Sequence, residues 1–546
     1  MDRRSFFSSK AINKTDLSFK SRTNSGLSSY FPPFGRQEIV HLLRRTLFGV
    51  KQNNIKAISG KSLSEALDIL LNAETVPAPP VNNYNDANFT DPTVQPGQTW
   101  VNSVYDGNAN GRRYISYKSW WIGLMLNQNT SLHEKMILFW HNHFATETVD
   151  IGDARYVYKH HMLLRKYALG NFKDFVKEIT IDPAMLRYLN GYLNNKNSPD
   201  ENYARELQEL FTLGKGPKSN YTEGDVKAAA RVLTGYTVNA ISISSVFDPN
   251  RHDTGPKQFS AFYNNVTITG KTGVNGASET DELINLIFLQ NETALHICRR
   301  LYRFFVYYEI DDATEANVII PMANLFRSSN YEIKPVLKVL FSSDHFFDPV
   351  NRAGLIKSPV DLCVGLAREF DMVFPDATDY VNQYYMHDYI RTLASNMQQN
   401  IGDPPNVAGW SAYYQEPQFH KLWINADTLP RRNQFTDSMI GNGYTRNGKK
   451  INIDILTFVN SLSDPSNPNT LINDSLEIIY AIETAQQVKD FLKSILLSGQ
   501  TSDSYWTDAW KTYRANTSNA TNRNIVLNRL TTMFKYLMNL PEYQLS

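Results

Sequence analysis

Apolar residues recur at helical spacing along most of this chain. From Arg36, the positions Ile39, Leu42, Leu43 and Leu47 fall on one helical face, and Gly49 marks the stop. "SLSEALDILLNA" predicts a second helix over 62–73, with Ser62 and Glu65 at capping-box spacing. Helical patterns then fill 113–236. They include "YISYKSWWIGLMLN", "SLHEKMILFWHNHF", "YVYKHHMLLRKYAL" and "PDENYARELQELFTLG". Pro199 suits a first helical turn and Gly214 a stop. Thr222 with Asp225 signals the start of a further helix, which Gly235 ends. Between 237 and 275 the period changes. "TVNAISISSVFD" and "KQFSAFYNNVTITGKTG" carry β-branched and aromatic alternation, which predicts a small β-hairpin or ribbon. Helical spacing resumes at "ETDELINLIFLQ" and continues to "RNIVLNRLTTMFKYLMNL".

These patterns predict a mainly α fold: a large multi-helical domain with a small β-hairpin insertion around 237–275. Residues 1–34 read as a flexible basic N-terminal arm closed by "FPPFG". Residues 35–435 read as the helical core domain. Within it, 75–112 is rich in Pro, Asn, Asp and Gly and too long for a mere connection. It is functional, ordered by packing, or disordered. Residues 436–546 read as a C-terminal helical extension packing on the core.

Composition adds few constraints. The chain has 546 residues, 42% of them hydrophobic, enough for a sizeable core. Lys+Arg is 55 and Asp+Glu 54, a net charge of +1, so no nucleic-acid partner is expected. No apolar run approaches a membrane span, so no transmembrane segment is expected. Arg3-Arg4 followed by Phe6 is reminiscent of a twin-arginine signal, but Lys10, Lys14, Asp16 and Lys20 occupy the place of its apolar region. That predicts a cytoplasmic protein. The alternative is a periplasmic or cell-envelope location reached by carriage with a partner. Cys298 and Cys363 sit in apolar helical patterns and read as buried thiols.

Several phrases together resemble a large bacterial family known as domain of unknown function 1800. They are "HLLRRTLFG" (41–49), "EKMILFWHNHF" (134–144), "DPAMLRYLNG" (182–191), "ENYARELQELFTLGKG" (201–216), "YTEGDVKAAARVLTGY" (221–236), "RHDTGPKQF" (251–259), "IKSPVDLCVG" (356–365), "PPNVAGW" (404–410) and "LWINADTLPRRN" (422–433). The resemblance implies a mostly helical protein, with a sulfatase-like neighbour-encoded protein or an envelope complex as partner. It attaches no reaction. Phe211 stands where many members carry His, and Asn190 where Asp is frequent. Both departures remove a potential ligand.

The candidate chemistry is dispersed. A contiguous "HNH" is not the scattered residue set of the nucleases named for those letters. Residues 141 and 143 are ~200° apart around a helix, so at most one of the two histidines can face a given ion. His143 shares a face with Met136, Phe139 and Trp140 and reads as a hydrogen-bonded core histidine. His141 reads as a metal-ligand candidate or as a donor to a neighbouring carbonyl. Glu206 and Glu209 lie on one helical face as a carboxylate pair for a metal; the alternative is ion pairing, with Arg205 reaching Glu201 and Glu209 at i±4. His252 and Asp253 form a loop His-Asp pair, candidates for acid/base chemistry, or an Asx-type turn with Gly255. Together His141, Glu206, Glu209 and His252, with Asp253, would make a hard pocket suited to zinc, manganese or iron. Trp410, Trp423 and Lys257 are candidates for a binding surface; the preferred reading of the Trp410 loop is a structural latch that packs it on the helices. "HH" at 160–161 reads as surface or capping. The preferred function is a binding or assembly factor acting with a cell-envelope or secretion partner. The alternative is a metal-assisted hydrolase-like enzyme on a polar or glycan-related substrate.

Overall fold

A computed structural model describes residues 25–546, and most of the expected basic arm lies outside the described residues. The stretch 25–34 lies against the fold. Ser29 bridges Ser343, and the Tyr30 ring packs 4.5 Å from that of Phe347. The architecture is mainly α with three small two-stranded antiparallel sheets.

The first long helix, α1 (Arg36–Thr46), buries Ile39, Leu42 and Leu43 as its spacing predicts. It stops where the chain turns through Gly49, φ +70°, against the backbone of Gly365. A Cβ on Gly49 would lie 2.5 Å from the Gly365 carbonyl oxygen, so only glycine fits. The Ser62–Glu65 capping box is present, with the Ser62 N–H donating to the Glu65 carboxylate at 2.8 Å.

Segment 75–112 is ordered by packing. Asp91 and Arg113 form an ion pair at 2.8 Å with side chains 0% and 1% exposed. Tyr84 donates its hydroxyl to the same carboxylate at 2.7 Å. Trp100 is buried and bonds Ser116 at 3.1 Å. Asp106 then caps α2 (Gly107–Leu126). The chain continues through α3 (His133–His143) and α4 (Ala154–Lys166). Next comes α5 (Asn202–Glu206), which runs straight into a π-helical turn, Leu207–Thr212. Helix α6 (Glu223–Val232) has the expected Thr222–Asp225 capping box.

Two hairpins occupy the predicted insertion. Strand β1 (Tyr236–Asn239) pairs with β2 (Ser244–Phe247), with Tyr236 opposite Phe247. Strand β3 (Lys257–Gln258) pairs with β4 (Thr267–Ile268). Asp225 ties this insertion to α6 by accepting from the Ser260 N–H and hydroxyl, both at 2.7 Å. Beyond it come α7 (Asn291–Phe305), α8 (Pro359–Glu369), α9 (Tyr380–Asn396) and α10 (Thr428–Ile440). The most extensive helix–helix packing joins α2 to α9.

A third hairpin, β5 (Tyr444–Arg446) with β6 (Lys449–Ile451), is additional to the predicted elements. Its turn is Asn447-Gly448, both at positive φ, a strong local hairpin signal. The C-terminal residues share one continuous core with the rest of the chain. Phe534, on the last long helix α11 (Ala520–Asn539), packs on Phe370 and Phe458. Backbone hydrogen bonds join Lys357 to Gln544 and Ser546 to Leu355.

The Asp91–Arg113 pair fixes the long segment to α2, and removing one partner leaves a charge buried without compensation. Asp91→Ala is expected to destabilise the fold by about 3–5 kcal/mol in chemical unfolding. A loss under 1 kcal/mol would show that the segment is held by something else.

Candidate functional site

Each residue of "HNH" has its own task. His143 donates from Nε2 to the Phe211 carbonyl at 3.0 Å, and His296 does the same for the Leu210 carbonyl at 3.0 Å. The π-helical turn ends at Gly214, φ +76°, leaving these last carbonyls without helical partners. Two buried histidines therefore cap that end. Phe211 fills the core beside them, its ring 5.2 Å from Phe144. Asn190 adopts φ +60°, a left-handed conformation that asparagine tolerates.

Asn142 accepts the Trp410 N–H at 2.8 Å. A Cβ on Gly409, φ +91°, would sit 2.2 Å from the Asn142 amide oxygen, so "AGW" closes onto the helix only with glycine there. His141 is buried edge-on to Trp121, centroids 5.0 Å apart. Both its ring nitrogens lack a hydrogen-bond partner among the described residues, so the expected carbonyl acceptor is not found. Burial, reinforced by His160, pushes its pKa down to about 3. His160 and His161 are also buried rather than on the surface. They bond Asp182 at 2.9 Å and the Tyr117 hydroxyl at 3.2 Å.

The other sequence candidates lie in separate neighbourhoods. Glu209 pairs with Lys215. Arg205 reaches Glu201 at 3.1 Å as expected, but its other bonds, at 2.7 Å, go to Glu223 instead of Glu209. Burial raises the Glu206 carboxyl, and Glu209 raises it further. His252 donates to neither of these glutamates. Its Nε2 lies 3.1 Å from Glu279, and its Nδ1 lies 2.9 Å from the Thr234 carbonyl. Lys257 is fully buried against the other Glu279 oxygen at 2.5 Å. Burial opposes ionisation of Glu279, but hydrogen bonds from His252 and Lys257 outweigh it and hold its carboxyl below the usual range. Asp253 caps the Gly255 N–H at 2.8 Å, the Asx-type turn, and takes a double bond from Arg231 at 2.7 and 3.1 Å. Through Asp253, His252 and Lys257, "RHDTGPK" is thus a latch tying α6 to the insertion and Glu279. Among the described residues, no group of three or more His, Cys, Asp or Glu side chains is placed to hold a metal ion.

Trp410 and Trp423 are 2% and 4% exposed, so neither presents a stacking face to solvent. Trp423 instead lines a cavity of ≈ 40 Å³. That space holds about one to three waters or one small anion. Five segments build it. Arg44 and Arg45 come from the end of α1 and Lys135 from the first turn of α3. Arg303 and Phe304 come from α7, and Ser358 and Asp361 from the start of α8. Tyr413, Phe419, His420 and Trp423 come from the loop that Asn142 anchors. Four cations thus face one side-chain carboxylate, and Ser546 also lines the space.

Two of those cations are already matched. Lys135 pairs with Asp361. Arg44 pairs at 3.3 Å with Glu369, which also has Lys357 at 3.7 Å. Arg45 is only 3% exposed; it donates one bond, 2.7 Å to the Asn351 carbonyl, while Nε and Nη1 have no partner among the described residues. Burial lowers its pKa to about 10, so it is charged at neutral pH. Arg303 reaches a carboxylate only at 3.7 Å, on Glu416, which is 72% exposed. His420 accepts the Ile356 N–H at Nδ1, 3.2 Å, and so carries its proton on Nε2, which has no partner. Burial, then Arg45, lowers its pKa to about 4. The N-terminus of α8, capped by Ser358, adds its positive dipole end.

A larger open cleft of ≈ 560 Å³ lies between α1 and residues 473–489. Its chemistry is mixed, and Glu477 on its wall is paired with Arg36 at 2.7 Å. It lacks a convergence of unmatched groups.

The sequence reading missed the cavity. "LLRR" and "CRRLYRFF" place arginines inside strongly apolar helical phrases, where arginine is rarely buried without a partner. That was the available signal. Arg44 and Arg45 read locally as favourable charges at a helix C-terminus.

A mainly helical protein with an enclosed cationic cavity is the class that fold and site define. The chain belongs to the family described as "Protein of unknown function (DUF1800)", whose model matches residues 41–545, including the C-terminal part. No curated protein and no solved structure matches it.

The buried histidines set an acid limit. Burial holds His141 near 3 and His133 and His387 near 4 in the folded state, against about 6.5 when unfolded. Their folded pKa values are depressed, so the unfolded chain takes up protons first as pH falls. Stability is complete above pH 6.5 and falls below it by up to about 2 kcal/mol per histidine at pH 5. Urea unfolding across pH 5–8 is expected to show this loss, with His141→Phe reducing the slope by about one proton. An unchanged slope in the variant would contradict the assignment.

Proposed function

We propose that this protein is a binding or assembly factor and that the Arg45 cavity receives an anionic group from its ligand or partner. The supporting observation is Arg45 itself, charged, almost fully buried and with two unmatched nitrogens on a cavity wall. Burying a charge without a counter-charge costs several kcal/mol, and a bound anion offsets that cost. The walls supply donors and aromatic surface; the Ser358 hydroxyl among them donates to Asp361 at 2.9 Å as part of the α8 cap, with Asp361 held by Lys135. These walls suit holding a group rather than transforming it. A cell-envelope or secretion partner is the class of protein such a factor would serve. The metal-assisted hydrolase reading draws no support from the placement of His141, Glu206, Glu209 and His252.

Thermal unfolding at constant ionic strength tests the binding reading. At least one of sulfate, phosphate, acetate and formate is expected to raise Tm over chloride, and Arg45→Gln to abolish the rise. Equal Tm in all five anions would overturn it.

A further inference from the structure

The cavity's charge balance specifies more than an anion. We infer that its ligand is a tetrahedral oxyanion carrying two negative charges, phosphate or sulfate, either free or as the terminal ester group of a larger molecule. This rests on the binding reading above and deepens it.

Counting charges on the walls leads there. Asp361 is taken by Lys135 and Glu369 by Arg44. Among the described residues Arg45 has no carboxylate within 4 Å, and Arg303 has only the distant, exposed Glu416. Arg45 is therefore uncompensated and Arg303 only weakly compensated. A carboxylate would neutralise Arg45 and leave Arg303, 28% exposed, with only the distant Glu416, whereas a dianion matches both.

The donors also differ in origin. Arg45 approaches from α1, Arg303 from α7, His420 from the anchored loop and the Ser358 cap from the start of α8. A planar carboxylate offers two oxygens in one plane. A tetrahedral oxyanion offers three or four oxygens in three dimensions, which suits donors arriving from four separate elements. Size agrees. A cavity of ≈ 40 Å³ admits such a group but no sugar ring or nucleoside, so anything larger must stay outside. Phe304, Tyr308 and Phe419 add aromatic wall, with the Arg303 guanidinium 5.1 Å from the Phe419 ring centroid. That fixes Arg303 in place before the ligand arrives.

Isothermal titration of the full chain, in chloride buffer of constant ionic strength, tests the class. Inorganic phosphate and sulfate are expected to bind one per chain and at least tenfold more tightly than acetate. Arg303→Met is the primary variant, because Arg303 is 28% exposed and the Arg45 bond to Asn351 does not involve it. It is expected to weaken phosphate at least tenfold with an unchanged far-UV spectrum. Phenyl phosphate and phenyl sulfate distinguish the sources. Ester binding within tenfold of the inorganic ion supports a terminal group, and binding of the inorganic ion alone supports a free one. Acetate binding as tightly as sulfate and phosphate, with loss in Arg303→Met, would overturn the dianion while leaving an anion site. Binding of none of these anions would overturn both readings.

Discussion

A guanidinium removed from water must find its charge matched elsewhere, and Arg45 is where this molecule leaves that requirement open. The rest of the site is arranged around it. Helix α1 carries Arg45 inward because Leu42, Leu43 and Leu47 hold the helix in the core. Gly49 allows the chain to turn against Gly365 on α8, which brings the start of α8 to the same place. Asp361 and Glu369, near the start and at the end of α8, match Lys135 and Arg44 and so leave Arg45 and Arg303 to a ligand. The low dielectric that makes an unmatched arginine costly also makes a bound anion strongly held.

"FWHNHFAT" takes on a different meaning in this setting. Among the described residues it belongs to no group placed to hold a metal ion, and it serves as a joint. His143 closes the end of the π-helical turn, and His141 packs among Trp121, His160 and Trp410. Asn142 holds the loop that delivers Tyr413, Phe419, His420 and Trp423 to the cavity. The same helix contributes Lys135 from its other end. A polar tripeptide at the end of a buried helix thus positions a binding wall without touching the ligand space.

Local signals in the sequence were reliable guides. The Ser62–Glu65 and Thr222–Asp225 caps, the Asp253 turn and the hairpins at 236–268 each depend on residues a few positions apart, and each forms as its spacing implies. Asn447-Gly448 carried an equally local signal for the third hairpin, left unread between helical patterns. What depends on distant segments was not legible. Nothing near His160-His161 reveals that α2 and α3 cover them, and a basic helix end looks exposed from its neighbours alone. The cavity draws on residues from 44 to 423, so no spacing encodes it. Its one trace is the unusual placement of arginines within apolar helical phrases.

The most direct test is to see whether an anion occupies the cavity. Crystals of the full chain soaked in selenate, a tetrahedral dianion with an anomalous signal, would locate it without reference to any activity. An anomalous peak within hydrogen-bonding distance of both Arg45 and Arg303 is the predicted result. Selenate bound at other positions, with the Arg45–Arg303 cavity empty, would contradict the account.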